Sequence, residues 1–139
     1  MATTPNRADG RAPTIDDIEA IAVVAFQSIP DALRARVDGV VIQIHEFPDE
    51  ETISDMELES PFDLLGLYTG VDLTSKSLTD PGDGIDMIFL YRRPLLDYWA
   101  ENDVELGDLV RHVLIHEIGH HFGYSDQDME QIEGMPDQP

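Results

Sequence analysis

The segment His116-Glu117-Ile118-Gly119-His120 places two imidazoles four positions apart, with a carboxylate directly after the first. On an α-helix, positions i and i+4 lie about 40° apart around the axis and one turn along it, so the two rings converge. Neutral imidazoles so placed can share a zinc ion at about 2.0–2.1 Å, and Glu117 then points toward the flank where an activated water would sit. Zinc lowers the pKa of its water to about 7. A carboxylate within hydrogen-bond reach can take the proton as hydroxide attacks a carbonyl, then return it to the leaving amine. Shuffling such a composition yields this spacing roughly once in a hundred trials, so its surroundings must carry part of the argument.

Those surroundings are apolar. Leu106, Leu109, Val110, Val113, Leu114 and Ile118 cover most of the helix circumference, which predicts a helix running through the core. Imidazole and charge buried there without partners would be costly, which weighs against two histidines merely hydrogen-bonded inside a helix. A catalytic zinc takes three protein ligands and a water. After His120 the chain reads His121-Phe122-Gly123-Tyr124-Ser125-Asp126, and Gly123 can adopt the left-handed conformation that ends a helix and turns the chain back. Asp126 is the favoured third donor, with Glu130, Glu133 or water as alternatives. A competing role for Ser125 or Asp126 is to cap a final helix, with Asp128 favouring its N-terminal dipole.

The remaining polar groups weigh less. His112, one turn before His116, is a candidate to support the metal site or touch substrate, and an exposed helix position explains it equally well. Tyr124 could polarise a substrate carbonyl from the rim, although packing beside Phe122 is the simpler expectation. His121 lies about 100° from His120 and should miss the metal. His45, in a strand, is uninformative. Asp80, Asp83 and Asp86 do not have the spacing of a calcium loop and read as turn residues.

Composition narrows the class of partner. With 139 residues the chain fits one domain, and the absence of cysteine confines any metal to His, Asp, Glu or water. Twenty-nine acids against eight Lys and Arg give a net charge of −21, and no base occurs between Arg36 and Lys76. Nucleic acid and anionic membrane surfaces are disfavoured, since both require a basic footprint. Such a field could steer basic substrates inward, though solubility alone explains it. The early apolar run, residues 20–30, follows acids rather than bases and is too short to span a bilayer, so a soluble cytoplasmic protein is expected.

The elements that must position the site follow from periodicity. Residues 1–13 are too polar to join a core and read as a disordered leader before one domain over 14–139. Thr14 caps a helix to Ser28, stopped by Pro30; a short helical piece spans Asp31 to Val37; and Val40, Ile42 and Ile44 alternate as a strand. The acidic stretch from Phe47 to Pro61 is weakly patterned and reads as a loop or frayed helix. Leu64 to Val71 and Ile85 to Tyr91 are further strands, the latter entered through the turn-forming residues 80–84. Pro94 should close that strand before a helical turn over Leu95 to Ala100. The longest periodic stretch is Val104 to Phe122, and a last helix covers about Asp126 to Glu133.

Several segments together resemble the minimal zincins, a family of small bacterial zinc metallopeptidases. They are Phe62-Asp63-Leu64-Leu65-Gly66-Leu67-Tyr68 with Gly70-Val71 and Leu73-Thr74, then Ile88 to Leu96, and most specifically His116 to Asp126. The resemblance covers roughly half the chain, in pieces. It implies an α+β zincin-like domain, with a mixed sheet of about three to four strands packed on a buried metal-bearing helix and a cleft below an edge strand. It also implies that the pattern HExxHxxGxxD assigns one Zn2+ to His116, His120 and Asp126, with Glu117 as general base. Larger relatives carry a third histidine and a methionine turn beneath the metal; here the third position is Asp126, and Met129 or Met135 are the residues that could imitate the turn. The activity so implied is hydrolysis of a peptide or protein substrate, with a regulatory partner protein left open. The rival is a metal- or peptide-binding module that does not cut.

Overall fold

The computed structural model describes residues 11–70 and 86–133, except for the side chains of residues 126, 132 and 133. Most of the leader and the turn-rich segment 80–84 therefore lie outside the described residues. Pro13, the last leader residue, is buried, and its carbonyl accepts a 2.6 Å hydrogen bond from Arg92 Nε. The same guanidinium donates to Glu46 at 2.9 Å, tying this end of the chain to the segment after the first strand.

Helix α1 (Ile15–Ser28) begins at a reciprocal cap: the Asp17 N–H donates to the Thr14 hydroxyl and the Thr14 N–H to the Asp17 carboxylate. Ile18, Ile21, Ala22 and Ala25 form its buried stripe. After Pro30 come α2 (Asp31–Arg34) and a 3-10 turn (Ala35–Val37), then strand β1 (Val41–His45). The weakly patterned acidic stretch contains a helix, α3 (Glu50–Asp55), capped by Asp49, which accepts from the Thr52 N–H at 2.7 Å. None of its residues is buried, so its periodicity is weak, and of the two readings, loop or frayed helix, the helix is the one found.

Strands β2 (Gly66–Thr69) and β3 (Met87–Tyr91) complete a three-stranded mixed sheet in the order β1-β3-β2 among the described residues. β3 is central, parallel to β1 and antiparallel to β2. Helix α4 (Arg92–Glu101) follows β3 directly. Pro94 does not stand between strand and helix but lies in the first helical turn, where a missing N–H breaks no intrahelical bond. Helices α5 (Leu106–His121) and α6 (Asp126–Glu133) are the last elements among the described residues.

One sheet face carries the core. Ile88, Leu90 and Tyr68 are buried there with Ile42 and Ile44 beside them, and α1 and α5 pack over that face. The outer face, with Gln43, His45, Phe89 and Leu67, is exposed or half-exposed. No helix among the described residues is long and apolar enough to cross a membrane.

Helix α5 approaches β2 at Gly66, where an added Cβ would lie 2.7 Å from Val113 Cγ1 and 3.1 Å from the Phe89 carbonyl oxygen. Backbone cannot yield as a side-chain tip can. Gly66→Ala is therefore expected to lower stability by about 1–3 kcal/mol, read from the urea midpoint at unchanged slope. An unaltered midpoint would mean that helix and strand separate freely.

Candidate metal centre

Residues Val113, Glu117 and His121 recur every four positions and form one stripe along α5. Four helical residues rise about 6 Å and two strand residues about 6.8 Å, so such a stripe can stay in step with alternate residues of a neighbouring strand. Here it does: Val113 meets Gly66, Glu117 faces the backbone of Tyr68, and His121 stacks on the Tyr68 ring with centroids 4.0 Å apart.

The backbone of β2 gives this contact its meaning. The Tyr91 N–H donates to the Leu65 carbonyl at 3.0 Å, so in the antiparallel ladder Leu65, Leu67 and Thr69 bond to β3. The backbone groups of Gly66 and Tyr68 consequently point off the sheet, along the edge beside α5. Glu117 sits beneath that edge. Burial pushes its carboxyl above the usual Glu range, while the charge of His120 and the Tyr68 N–H pull the other way. The Tyr68 N–H donates toward the carboxylate from the strand edge.

His116 and His120 occupy the neighbouring stripe. Their ring centroids lie 5.8 Å apart, nearly perpendicular. Two imidazoles at tetrahedral positions on one zinc, each about 2.0–2.1 Å away, bring their centroids to about 5–6 Å, so this pair fits the ion. His112 continues the stripe one turn back, exposed, with its ring 4.0 Å from that of His116. None of these groups is submerged: His116 and Glu117 are half-buried, His120 is exposed, and no polar side chain among the described residues is fully buried. The expectation that the motif itself is enclosed in the core is thus corrected. Leu109, Val110, Leu114, Ile115 and Ile118 fill the buried side of α5 and leave the histidine stripe at the rim.

Beyond His120 the chain reverses as the glycine suggests. Gly123 has φ +79°, the Tyr124 N–H donates to the Gly119 carbonyl at 2.9 Å, and the Gly123 N–H donates to that of His120 at 3.1 Å, which together close a Schellman-type end. The returning segment enters α6. Its cap is Ser125, whose hydroxyl accepts from the Asp128 N–H at 3.1 Å while its own N–H donates to the Asp128 carboxylate at 3.2 Å. Asp126 is the first helical residue. Met129 docks α6 against α5: it is fully buried, and a Cβ on Gly119 would overlap its sulfur. Glu130 is exposed. The side chains of Asp126 and Glu133 lie outside the described residues, and among the described ones no group of three or more metal-donor side chains converges.

Tyr124 is half-buried against the core, and the Arg36 guanidinium lies 5.5 Å from its ring centroid and from that of Phe122. These are packing contacts of the ring. Two tyrosines that periodicity did not single out interact with Glu117. In the sequence Tyr68 appears only as one residue of the strand read over Leu64 to Val71 and of the segment that resembles the family. Tyr91, at the end of β3, is 4% exposed. Its phenol is pushed up to about 12, by burial first and then by the charges of Asp49 and Glu117.

The unfolded chain loses the Tyr91 proton near 10 and the folded chain near 12, so stability falls as pH rises through that window. Tyr91→Phe is expected to make the decline shallower in urea titrations between those pH values. An equally steep decline in the variant would place its source elsewhere.

A histidine pair and a half-buried glutamate on a helix beside the edge strand, among the described residues, of a small mixed sheet define the class: a compact α+β domain of zincin type. Residues 37–135, well over half of the chain, match the family described as zincin-like metallopeptidase. The chain belongs to that family, which binds zinc in general. No curated protein matches the sequence.

Proposed function

We propose that the protein is a zinc-dependent peptidase in which His116, His120 and Asp126 hold one Zn2+ per chain and Glu117 is the general base. The observation that carries this reading is the stripe on α5, which puts the Glu117 carboxylate under the outward backbone groups of β2 while His116 and His120 face the same side. When bound, zinc supplies a Lewis acid for the scissile carbonyl and brings the pKa of water near neutrality. Glu117 accepts the proton from the attacking water and delivers it to the departing amine; a carboxyl raised by burial is a better base for this work than an exposed one. An extended peptide pairs with the backbone groups of Gly66 that point off the sheet, beside the Tyr68 N–H that faces Glu117, which holds its carbonyl over the glutamate. The turn at Gly123, which brings the chain back so that a new helix starts at Asp126, supports its place as third ligand.

On this reading the partner is a peptide or protein, with neither nucleic acid nor membrane, and a cytoplasmic setting rests on the cysteine-free, acidic composition. The test combines metal analysis of an untagged preparation with a diverse peptide library at neutral pH. One zinc per chain, an open coordination position and cleavage are expected. A site closed by four protein ligands, with no cleavage, would make the domain a structural or binding module instead.

A further inference from the structure

Three polar side chains near the site have no part in that mechanism: Tyr68, Asp86 and His121. The Tyr68 phenol donates a 2.6 Å hydrogen bond to Asp86, which immediately precedes β3. Its ring lies nearly parallel to His121, at 20° and 4.0 Å, and meets Phe122 edge-on at 6.1 Å. The side chain is 7% exposed, so the ring is fixed on its face, its edge and its hydroxyl. A phenylalanine would fill the same space. The hydroxyl therefore adds one thing, a directional tie from β2 across to the start of β3, and burial together with Asp86 keeps the phenol in its neutral, donating form.

The backbone of the same residue carries the consequence. Tyr68 N–H points off the sheet toward Glu117, and His121 is one turn beyond Glu117 on the same stripe. Resting on the peptidase reading above, we propose that Tyr68 is a positioning residue for Glu117: the Asp86 tie and the His121 stack lock β2 against α5, so that the Tyr68 N–H holds the Glu117 carboxylate in place for proton transfer. A single hydrogen bond steers the carboxylate without touching substrate. Loss of the tie should therefore act on kcat and leave substrate binding alone.

The first test does not depend on activity. In zinc-loaded protein, Glu117→Gln should shift the backbone amide proton of residue 68, and the shift should shrink by at least about half in an Asp86→Ala background or with Tyr68→Phe, whichever variant folds more fully. An equal shift with and without the tie overturns the proposal. The second test is kinetic. Tyr68→Phe and Asp86→Ala should each lower kcat about ten-fold with KM within about two-fold, the double variant should be no worse than either, and Asp86→Asn, which keeps an acceptor, should recover most of the loss. Unchanged kcat in folded, zinc-loaded variants that have only lost stability would make the cluster a structural staple and overturn the proposal. A parent protein that cleaves nothing would sink the peptidase reading alone, and the amide measurement would still decide the positioning role.

Discussion

Glu117→Gln is expected to reduce kcat by about 10²–10⁴-fold while one zinc stays bound per chain. The two side chains have nearly the same shape, so α5 and its packing against β2 persist, and glutamine can still accept from the Tyr68 N–H. What it lacks is basicity. Because Glu117 is not assigned as a ligand, metal affinity should change little, which separates this variant from His116→Ala or His120→Ala, where zinc and activity disappear together. Steady-state kinetics on the metal-analysed variant check it. A kcat within about three-fold of the parent would put the base elsewhere and leave Glu117 a bystander of burial.

The second large effect concerns Asp126. Asp126→Ala is expected to weaken zinc binding by about a hundred-fold or more, since loss of a direct ligand should exceed the 10–100-fold typical of groups one layer out. Ser125→Ala supplies the contrast. Ser125 and Asp128 cap α6. Removing the hydroxyl should cost about 1 kcal/mol of stability and leave zinc affinity nearly unchanged. Competition titrations against a chromophoric chelator, with urea midpoints, distinguish the two. Equal zinc affinity in Asp126→Ala and parent would hand the third position to Glu130, Glu133 or solvent.

Where periodicity is strong, the sequence foretold the structure closely. The Thr14 cap, the inward Ile42 and Ile44, the turn at Gly123 and the start of α6 at Asp126 all stand where their residues indicate, because each rests on a local rule. The HExxH face was legible because two histidines on one helix need no knowledge of the rest of the chain. Its degree of burial was not, since an apolar helix circumference does not say which neighbour stops short. Helix α3 was legible only as one of two readings, loop or frayed helix, because it buries nothing, and α4 starts earlier than expected because proline is at home in a first turn. Tyr68, Asp86 and Tyr91 come from strands β2 and β3 and their flanks, far in sequence from Glu117, and only pairing of the sheet brings them to it.

The in-step contact between α5 and β2 makes the arrangement discrete. Side chains alternate across a strand, and so do the directions of its backbone groups, so a slip of β2 by one residue would not loosen the contact gradually. It would replace Gly66 with a leucine against Val113, swing the Tyr68 ring to the outer face away from His121, and turn inward the amide that now faces Glu117. Single-residue insertions or deletions in β2 should therefore act as on–off changes, whereas paired ones, which restore the alternation, can preserve the face that Glu117 meets.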